Sequence, residues 1–149
     1  MIKEGVEYWK CKDEQQFKME YIRRGGIHLC AEDHKIFCIE TEETVKGFPD
    51  VMEVVKINHS LITSFYEFKF SDSKGRVKFQ PTQPAFYKNN KFMDVQVIAF
   101  NQVTGNVHIF HANDIFDNYS PYKINLKAEI NLTKVEEKKN GWFIFWKES

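Results

Sequence analysis

The sequence predicts one α/β domain in which helices lie on the faces of a β-sheet. Segments with helically spaced apolar residues stand among segments whose apolar residues alternate or run continuously. Of the 149 residues, 42% are hydrophobic and 28% are charged, an ordinary balance for a globular protein. A chain of this length can bury a core without disulfides. We therefore expect a single domain over residues 1–149.

Composition also argues against several classes of protein. Basic and acidic residues number 21 each, so the chain lacks the overall positive field of a protein that coats nucleic acid. No apolar run could span a bilayer, and the start MIKEGVEYWK lacks the apolar stretch of a signal peptide. We expect a cytoplasmic protein without a membrane partner. Cys30 and Cys38, with His28 and His34 nearby, fit no standard zinc-finger spacing, and we predict two short strands around a polar turn in IHLCAEDHKIFCIE.

The segment KDEQQFKMEYIRR predicts the first helix, ended by the two glycines that follow it. Its apolar stripe includes Phe17 and Tyr21. Glu14 lies three residues before Phe17 and projects from the same stripe, whereas Glu20 lies further round the helix. A carboxylate at Glu14 is unusual beside an apolar stripe, although it also suits the positive end of the helix dipole.

Strands are predicted at FPDVMEVVKI and at SLITSFYEFKF. Pro49 suits the opening of the first strand, and we interpret Glu53 as a charge at the strand edge. The second strand is rich in β-branched and aromatic residues. Because side chains alternate along a strand, Glu67 and Lys69 face one way and the neighbouring aromatic residues face the other.

The remaining segments predict a loop, a helix and further strands. SDSKGRVKF predicts a loop around Gly75, and QPTQPAFYKNN predicts a helix with Thr82 as its N-cap and Pro84 in its first turn. DVQVIAF predicts a buried strand, and GNVHIFHA predicts a strand after the turn QVTGN. Beyond Asn118, INLKAEINL alternates like a strand and GWFIFW is strongly aromatic.

The charged residues of the two central strands form a recognisable chemical set. Asp50 and Glu67 can share a Mg²⁺ ion, which favours one or two carboxylates and otherwise keeps its waters. The ion polarises a phosphodiester oxygen and lowers the pKa of water, and Lys69 is placed to position that water and to offset charge. The backbone carbonyl of Phe68 is a further candidate ligand. A bare D…ExK pattern also occurs by chance in β-rich proteins, as surface carboxylates beside a lysine.

Two more features give the chain a family resemblance: the GFPD that contains Asp50, and the glutamine in QPTQPAFYK. With GFPD, YEFKF and QPTQPAFYK in this order, the chain resembles the PD-(D/E)xK nucleases and, within them, the virus-type replication-repair (VRR) nuclease domains. The resemblance covers about residues 12–117. Residues 118–149 have no counterpart in it and stand as a C-terminal extension of unknown role.

The resemblance implies a restriction-endonuclease-like core, with a central mixed β-sheet flanked by α-helices. It also implies a Mg²⁺-dependent DNA endonuclease, with Mn²⁺ as a substitute, that acts on branched or structured DNA in repair, recombination or a phage. The rival hypothesis is a non-catalytic nucleic-acid-binding or phage accessory protein with a nuclease-like fold. The presence of Asp50, Glu67 and Lys69 together favours the enzyme.

The resemblance also implies roles for individual residues. Asp50, Glu67 and Lys69 form the catalytic core, with Gln83 against the water or the scissile phosphate and Glu14 as the acid of the first helix. Glu20 competes with Glu14, and Gln80 competes with Gln83; we prefer Glu14 for its helix face and Gln83 for its place at the helix start. The implied metal ligands are Asp50, Glu67, Glu14 and the Phe68 carbonyl, and the DNA contacts are Lys74, Arg76, Lys78 and Lys88.

Two interpretations of the C-terminal segments stay open. They form a homodimer interface that includes Trp142 to Trp146, or both strands complete the sheet of a single chain.

Overall fold

The structure, a computed structural model, describes residues 2–4, 8, 10–24, 33–38, 47–116, 126–137 and 144–148. Gly25, Gly26, Cys30 and Trp142 lie outside these residues, as does the acidic segment ETEET. The strands are β1 Ile2–Glu4, β2 Asp33–Cys38, β3 Val51–Ile57, β4 Ser60–Phe70, β5 Arg76–Phe79, β6 Val95–Asn101, β7 Asn106–His111, β8 Leu126–Asn131 and β9 Ile144–Glu148. The helices are α1 Glu14–Arg23, α2 Thr82–Asn89, α3 Ala112–Ile115 and α4 Leu132–Glu137, with a 3₁₀ turn at Lys91–Met93.

The strands form two sheets. A six-stranded sheet has the order β1-β7-β6-β4-β3-β2, in which β4 and β6 are parallel and the other neighbours are antiparallel. A smaller antiparallel sheet has the order β5-β8-β9. The predicted fold class is confirmed: the domain is α/β with a central mixed sheet flanked by helices, in agreement with a restriction-endonuclease-like core.

The central sheet is covered on both faces, which explains the continuous apolar run of β6. Ile98 and Phe100 pack on the face covered by Phe17 and Tyr21 of α1. Alternate residues of β6, beginning with Val95, pack on the opposite face with residues of α2, α3, α4, β5 and β8. None of the described helices is long and apolar enough to cross a membrane.

The predicted first helix is confirmed, with α1 spanning Glu14–Arg23. Asp13 adopts an extended backbone before it, and its side chain accepts a hydrogen bond of 2.8 Å from the backbone N–H of Gln16. This contact satisfies one of the backbone N–H groups that a helix start leaves without an intrahelical acceptor. The cap fixes where α1 begins and therefore where Glu14 stands.

The prediction of a loop over SDSKGRVKF is wrong for its second half. Residues Arg76–Phe79 form β5, which pairs with β8. Val77 and Phe79 are 1% and 2% exposed, so burial of these two side chains stabilises the strand. Gly75 makes the turn before it with φ of +80°, and a Cβ atom there would lie 2.1 Å from Thr133 Oγ1.

Two further residues differ from their predicted roles. The helix α2 begins at Thr82 itself, after Pro81, and no side-chain cap bond forms, so the prediction of Thr82 as N-cap is wrong. Glu53 is not an edge charge, because its side chain is 0% exposed and accepts a hydrogen bond of 3.0 Å from the Tyr66 hydroxyl. Tyr66 is its neighbour from β4, which local sequence does not reveal.

The strand β8 and the helix α4 contribute to the same core. Ile130, Leu132 and Val135, from β8 and α4, pack in one cluster with Phe86 and with residues of β6. The strand β9 pairs with β8, so backbone pairing within one chain accounts for both predicted C-terminal strands. Residues 126–137 thus belong to the same domain as β6 and α2.

Candidate metal centre

The pairing of β3 with β4 brings the first two acidic residues together. Val51 lies opposite Tyr66, so Asp50, directly before β3, reaches the level of Glu67 on β4. The backbone N–H of Phe68 donates a hydrogen bond of 3.3 Å to Asp50 Oδ1. This contact fixes the Asp50 carboxylate beside β4, while the role of the Phe68 carbonyl as a ligand stays a prediction.

Gly47 seats the GFPD segment against the start of α2. Its φ of +85° lies in the region that favours glycine, and a Cβ atom there would lie 2.2 Å from the carbonyl oxygen of Thr82. The ring of Phe48 then packs edge-on against those of Phe65 and Phe86. The absent side chain at Gly47 therefore allows Asp50 and the first turn of α2 to border one cleft.

Three carboxylates converge in this cleft. Ligand oxygens of Glu14, Asp50 and Glu67 all lie within 4.8 Å of one another. Glu14 comes from the first turn of α1, so the acidic cluster joins one helix to both central strands. The cleft has a volume of 360 Å³ and is lined by Glu14, Gly47, Phe48, Asp50, Glu67, Gln80, Thr82 and Gln83.

Burial makes the ionised form of these carboxyl groups unfavourable. It raises the pKa of Asp50 to about 6, and the neighbouring Glu14 adds to the rise while Lys18 opposes it. Burial and then the charge of Asp50 hold the pKa of Glu67 well above its ordinary range. Burial also raises the pKa of Glu14. Three carboxylates in so small a volume repel one another, and a divalent cation would relieve that repulsion.

Lys69 and Gln83 complete the site on the α2 side. Lys69 Nζ donates a hydrogen bond of 2.9 Å to Gln83 Oε1 and lies 3.9 Å from Glu67 Oε2. The ammonium also lies 4.8 Å from the centre of the Phe79 ring on β5, within the range of a cation–π contact. Gln83 Oε1 accepts a second bond of 2.9 Å from the backbone N–H of Gln80. Lys69 is thereby held at the edge of the acidic cluster.

The two competing pairs of residues occupy different places. Glu20 forms ion pairs with Arg23 and Arg24, whose hydrogen bonds lower its pKa to about 2, and it does not belong to the acidic cluster. Glu14 does belong to it. Gln80 lines the cleft, but Gln83 is the glutamine whose side chain contacts Lys69.

The predicted DNA contacts lie apart from the acidic cluster. Lys74 and Lys78 are exposed, and Lys88 is half-buried on α2. Arg76 Nε donates a hydrogen bond of 2.9 Å to Asp72 Oδ2 and lies 3.9 Å from Glu129 Oε1. None of these four basic residues lines the cleft as the structure describes it, so a role for them in binding DNA stays a prediction.

Sequence reasoning missed two residues near the site. Lys18 follows Glu14 by one helical turn. Its positive charge partly opposes the rise in the pKa of Asp50 and of Glu14. Tyr87 follows Gln83 by one turn of α2 and is 1% exposed. In each case the spacing of four residues from a predicted site residue could have identified the second residue, because residues so spaced share a helix face.

Comparison of the chain with protein-family models, with curated proteins and with solved structures finds no match. The function must therefore be argued from the geometry of the acidic cluster and its neighbours.

Proposed function

We propose that the protein is a metal-dependent DNA endonuclease of the PD-(D/E)xK type. The observation that carries the proposal is the convergence of Glu14, Asp50 and Glu67, whose ligand oxygens lie within 4.8 Å of one another beside a lysine. Carboxylates held this close, with Glu67 only 4% exposed and Asp50 half-buried, serve stability poorly. They are the ligand type that Mg²⁺ and Mn²⁺ prefer.

The chemistry of the donor set fits such an ion. Glu14, Asp50 and Glu67 would hold Mg²⁺ or Mn²⁺. The pKa values of all three carboxyl groups are raised, because the nearby charges of Lys18 and Lys69 do not offset their burial and mutual repulsion. A bound dication supplies polarisation of the scissile phosphate and a lowered pKa of water. The cleft of 360 Å³ leaves room for a phosphate group beside the carboxylates.

Lys69 and Gln83 supply the positioning. The Lys69 ammonium carries the positive charge nearest to Glu67, and its contacts with Gln83 and Phe79 restrict its movement. Because the ammonium group is already held in place, it can orient the attacking water and offset the charge that develops on the phosphate with little reorganisation. Gln83 also hydrogen-bonds the Glu67 side chain, so it orients an acidic and a basic group at once.

A non-catalytic nucleic-acid-binding protein is the competing function. A zero net charge does not favour it, since electrostatic attraction supplies most of the affinity in sequence-independent binding. The acidic cluster would also repel a phosphate unless a cation were present. The preference for branched or structured DNA rests on the family resemblance.

The test is incubation of the protein with labelled junction, flap, nicked and linear duplex DNA, with Mg²⁺ or with a chelator. We expect Mg²⁺-dependent cleavage of at least one DNA. Asp50→Asn should lower the rate roughly a hundredfold or more, because several kcal/mol of transition-state stabilisation depend on the ion. Cleavage that Asp50→Asn leaves intact would remove the acidic cluster from the mechanism. Binding without cleavage of any of the four DNAs would favour the competing function.

A further inference from the structure

Tyr87, on α2, packs in the core cluster against which Phe65 of β4 also packs, and Glu67 faces the same side of the sheet as Phe65 because side chains alternate along a strand. The Tyr87 side chain is 1% exposed, and its ring packs against Phe86 and Phe116. Among the residues that the structure describes, no hydrogen-bond partner lies within reach of the hydroxyl. A buried hydroxyl without a partner is unfavourable, and native proteins contain few of them. A partner that is present only in some states of the protein would remove this cost.

The surroundings of Tyr87 indicate which partner that is. Tyr87 follows Gln83 by one helical turn, so the two side chains leave α2 on one face. After burial, the charges of Glu67, Asp50 and Glu14, in that order, hold the pKa of Tyr87 well above its ordinary range. The hydroxyl therefore keeps its proton near the acidic cluster, and a protonated hydroxyl is a hydrogen-bond donor.

We infer that Tyr87 is a positioning residue whose hydroxyl donates a hydrogen bond to the Glu67 carboxylate once a divalent cation is bound. The inference rests on the proposed function for the identity of the cation. A ligating carboxylate needs outer hydrogen bonds to fix its orientation, and loss of one such bond commonly weakens metal binding 10- to 100-fold. Gln83 contacts Glu67 from the same helix, so Tyr87 would supply a second hydrogen bond from α2.

Tyr87→Phe removes only the hydroxyl oxygen, and Tyr21→Phe is the matched control. Tyr21 is 0% exposed on the opposite face of the sheet, and burial and then Tyr8, not the acidic cluster, raise its pKa. Calorimetric titration with Mn²⁺, without DNA, should show about tenfold weaker binding in Tyr87→Phe and no change in Tyr21→Phe. Without Mn²⁺, the melting temperature of Tyr87→Phe should equal or exceed that of the wild type, because the hydroxyl has no described partner to lose.

Each alternative result decides the question. Wild-type Mn²⁺ affinity in Tyr87→Phe, or an equal loss in Tyr21→Phe, would overturn the inference. A lower melting temperature without Mn²⁺, or failure to fold, would show that the hydroxyl has a structural partner and would also overturn it. If the wild type binds Mn²⁺ through Asp50 yet cleaves no DNA, the nuclease proposal fails while the titration still decides the role of Tyr87. If the wild type binds no Mn²⁺, both fail.

Discussion

Asp50 shows how a single buried carboxyl group can connect pH, stability and metal binding. Its pKa is about 6 in the folded protein against an ordinary value of 3.8, so the folded state holds the proton more tightly than the unfolded state. The resulting stabilisation is fully present below the ordinary pKa and is lost as the pH rises through about 6. The pKa of Glu67 and that of Glu14 are raised too, so both groups act in the same direction.

We therefore expect the metal-free protein to lose stability between about pH 4 and pH 7, on the order of 2–3 kcal/mol from Asp50 alone. Mg²⁺ should restore that loss at the upper end of the range, since a cation competes with protons for the same oxygens. Urea unfolding at several pH values, with and without Mg²⁺, measures both effects. Metal-free stability that rises over this range would contradict the assignment.

Asp50→Asn should stabilise the metal-free protein at pH 8 by roughly 1–2 kcal/mol, because it removes one charge from a crowded acidic site. The matched control is Asp72→Asn. Hydrogen bonds from Arg76 and Lys74 hold the pKa of Asp72 below its ordinary value despite partial burial, so loss of its charge should destabilise the protein. If urea unfolding shows a higher free energy of unfolding for Asp50→Asn and a lower one for Asp72→Asn, the result supports charge repulsion in the cluster at Asp50. Destabilisation by both would mean that Asp50 is a structural carboxylate.

Lys69→Ala should reduce turnover at saturating Mg²⁺ far more than it weakens DNA binding. One lysine among several basic groups contributes little to total phosphate affinity, whereas its place beside Glu67 is unique among the described lysines. Lys78→Ala is the control, since Lys78 is exposed on β5. Cleavage rates and DNA affinities for both variants separate the roles. Equal losses of binding and turnover in Lys69→Ala would reduce Lys69 to a phosphate contact.

The helices and strands that the sequence predicted well are those that are determined by their own residues. The bounds of β4 follow from its own β-branched and aromatic residues, and α1 follows from its apolar stripe and the Asp13 cap. The strand β5 has only Val77 and Phe79 to mark it, and its partner β8 lies far along the chain. For the same reason the burial of Glu53 could not be predicted, because it depends on Tyr66 of the neighbouring strand. The order of the motifs in the sequence predicted which acidic residues form the site. The contact of Gly47 with α2 could not be predicted, because it joins segments that are far apart in the sequence.

The contact between the GFPD segment and α2 leads to a prediction for Gly47→Ala. The added methyl group meets the Thr82 carbonyl at 2.2 Å in a backbone conformation that favours glycine, so the segment must move away from α2. We expect a loss of roughly 1–3 kcal/mol in stability and a loss of cleavage beyond what the lower folded fraction explains.

Gly105→Ala is the control for Gly47→Ala, because Gly105 has a φ of +80° in the turn between β6 and β7. It should cost stability while leaving the cleavage rate per folded molecule unchanged. Chemical unfolding and cleavage assays on both variants measure the difference. A normal cleavage rate per folded molecule in Gly47→Ala would show that the seating of GFPD on α2 does not position the site.

For the whole molecule, we expect two chains to act together. The strand β9 stands at the end of the three-stranded sheet, while Trp142 and Phe143 lie outside the described residues. A neutral chain holds a long duplex weakly, and a two-fold dimer would double its contacts with DNA. We predict that β9, although it pairs with β8 within one chain, also takes part in a homodimer interface that includes Trp142 to Trp146. Light scattering should report twice 17.7 kDa, and Phe143→Glu should return it to the monomer value. A wild type that stays monomeric with and without junction DNA would refute this.

The contact of Lys69 with Phe79 has a consequence for the order in which the protein acquires activity during synthesis. Phe79 belongs to β5, which pairs with β8, so the ring beside the ammonium is held in part by residues translated much later. A nascent chain that already contains the acidic cluster still lacks Leu126–Asn131 behind that ring. We expect such a chain to leave Lys69 poorly placed. If the protein cuts DNA as proposed, it would become competent only after Leu126–Asn131 have been translated and have paired with β5.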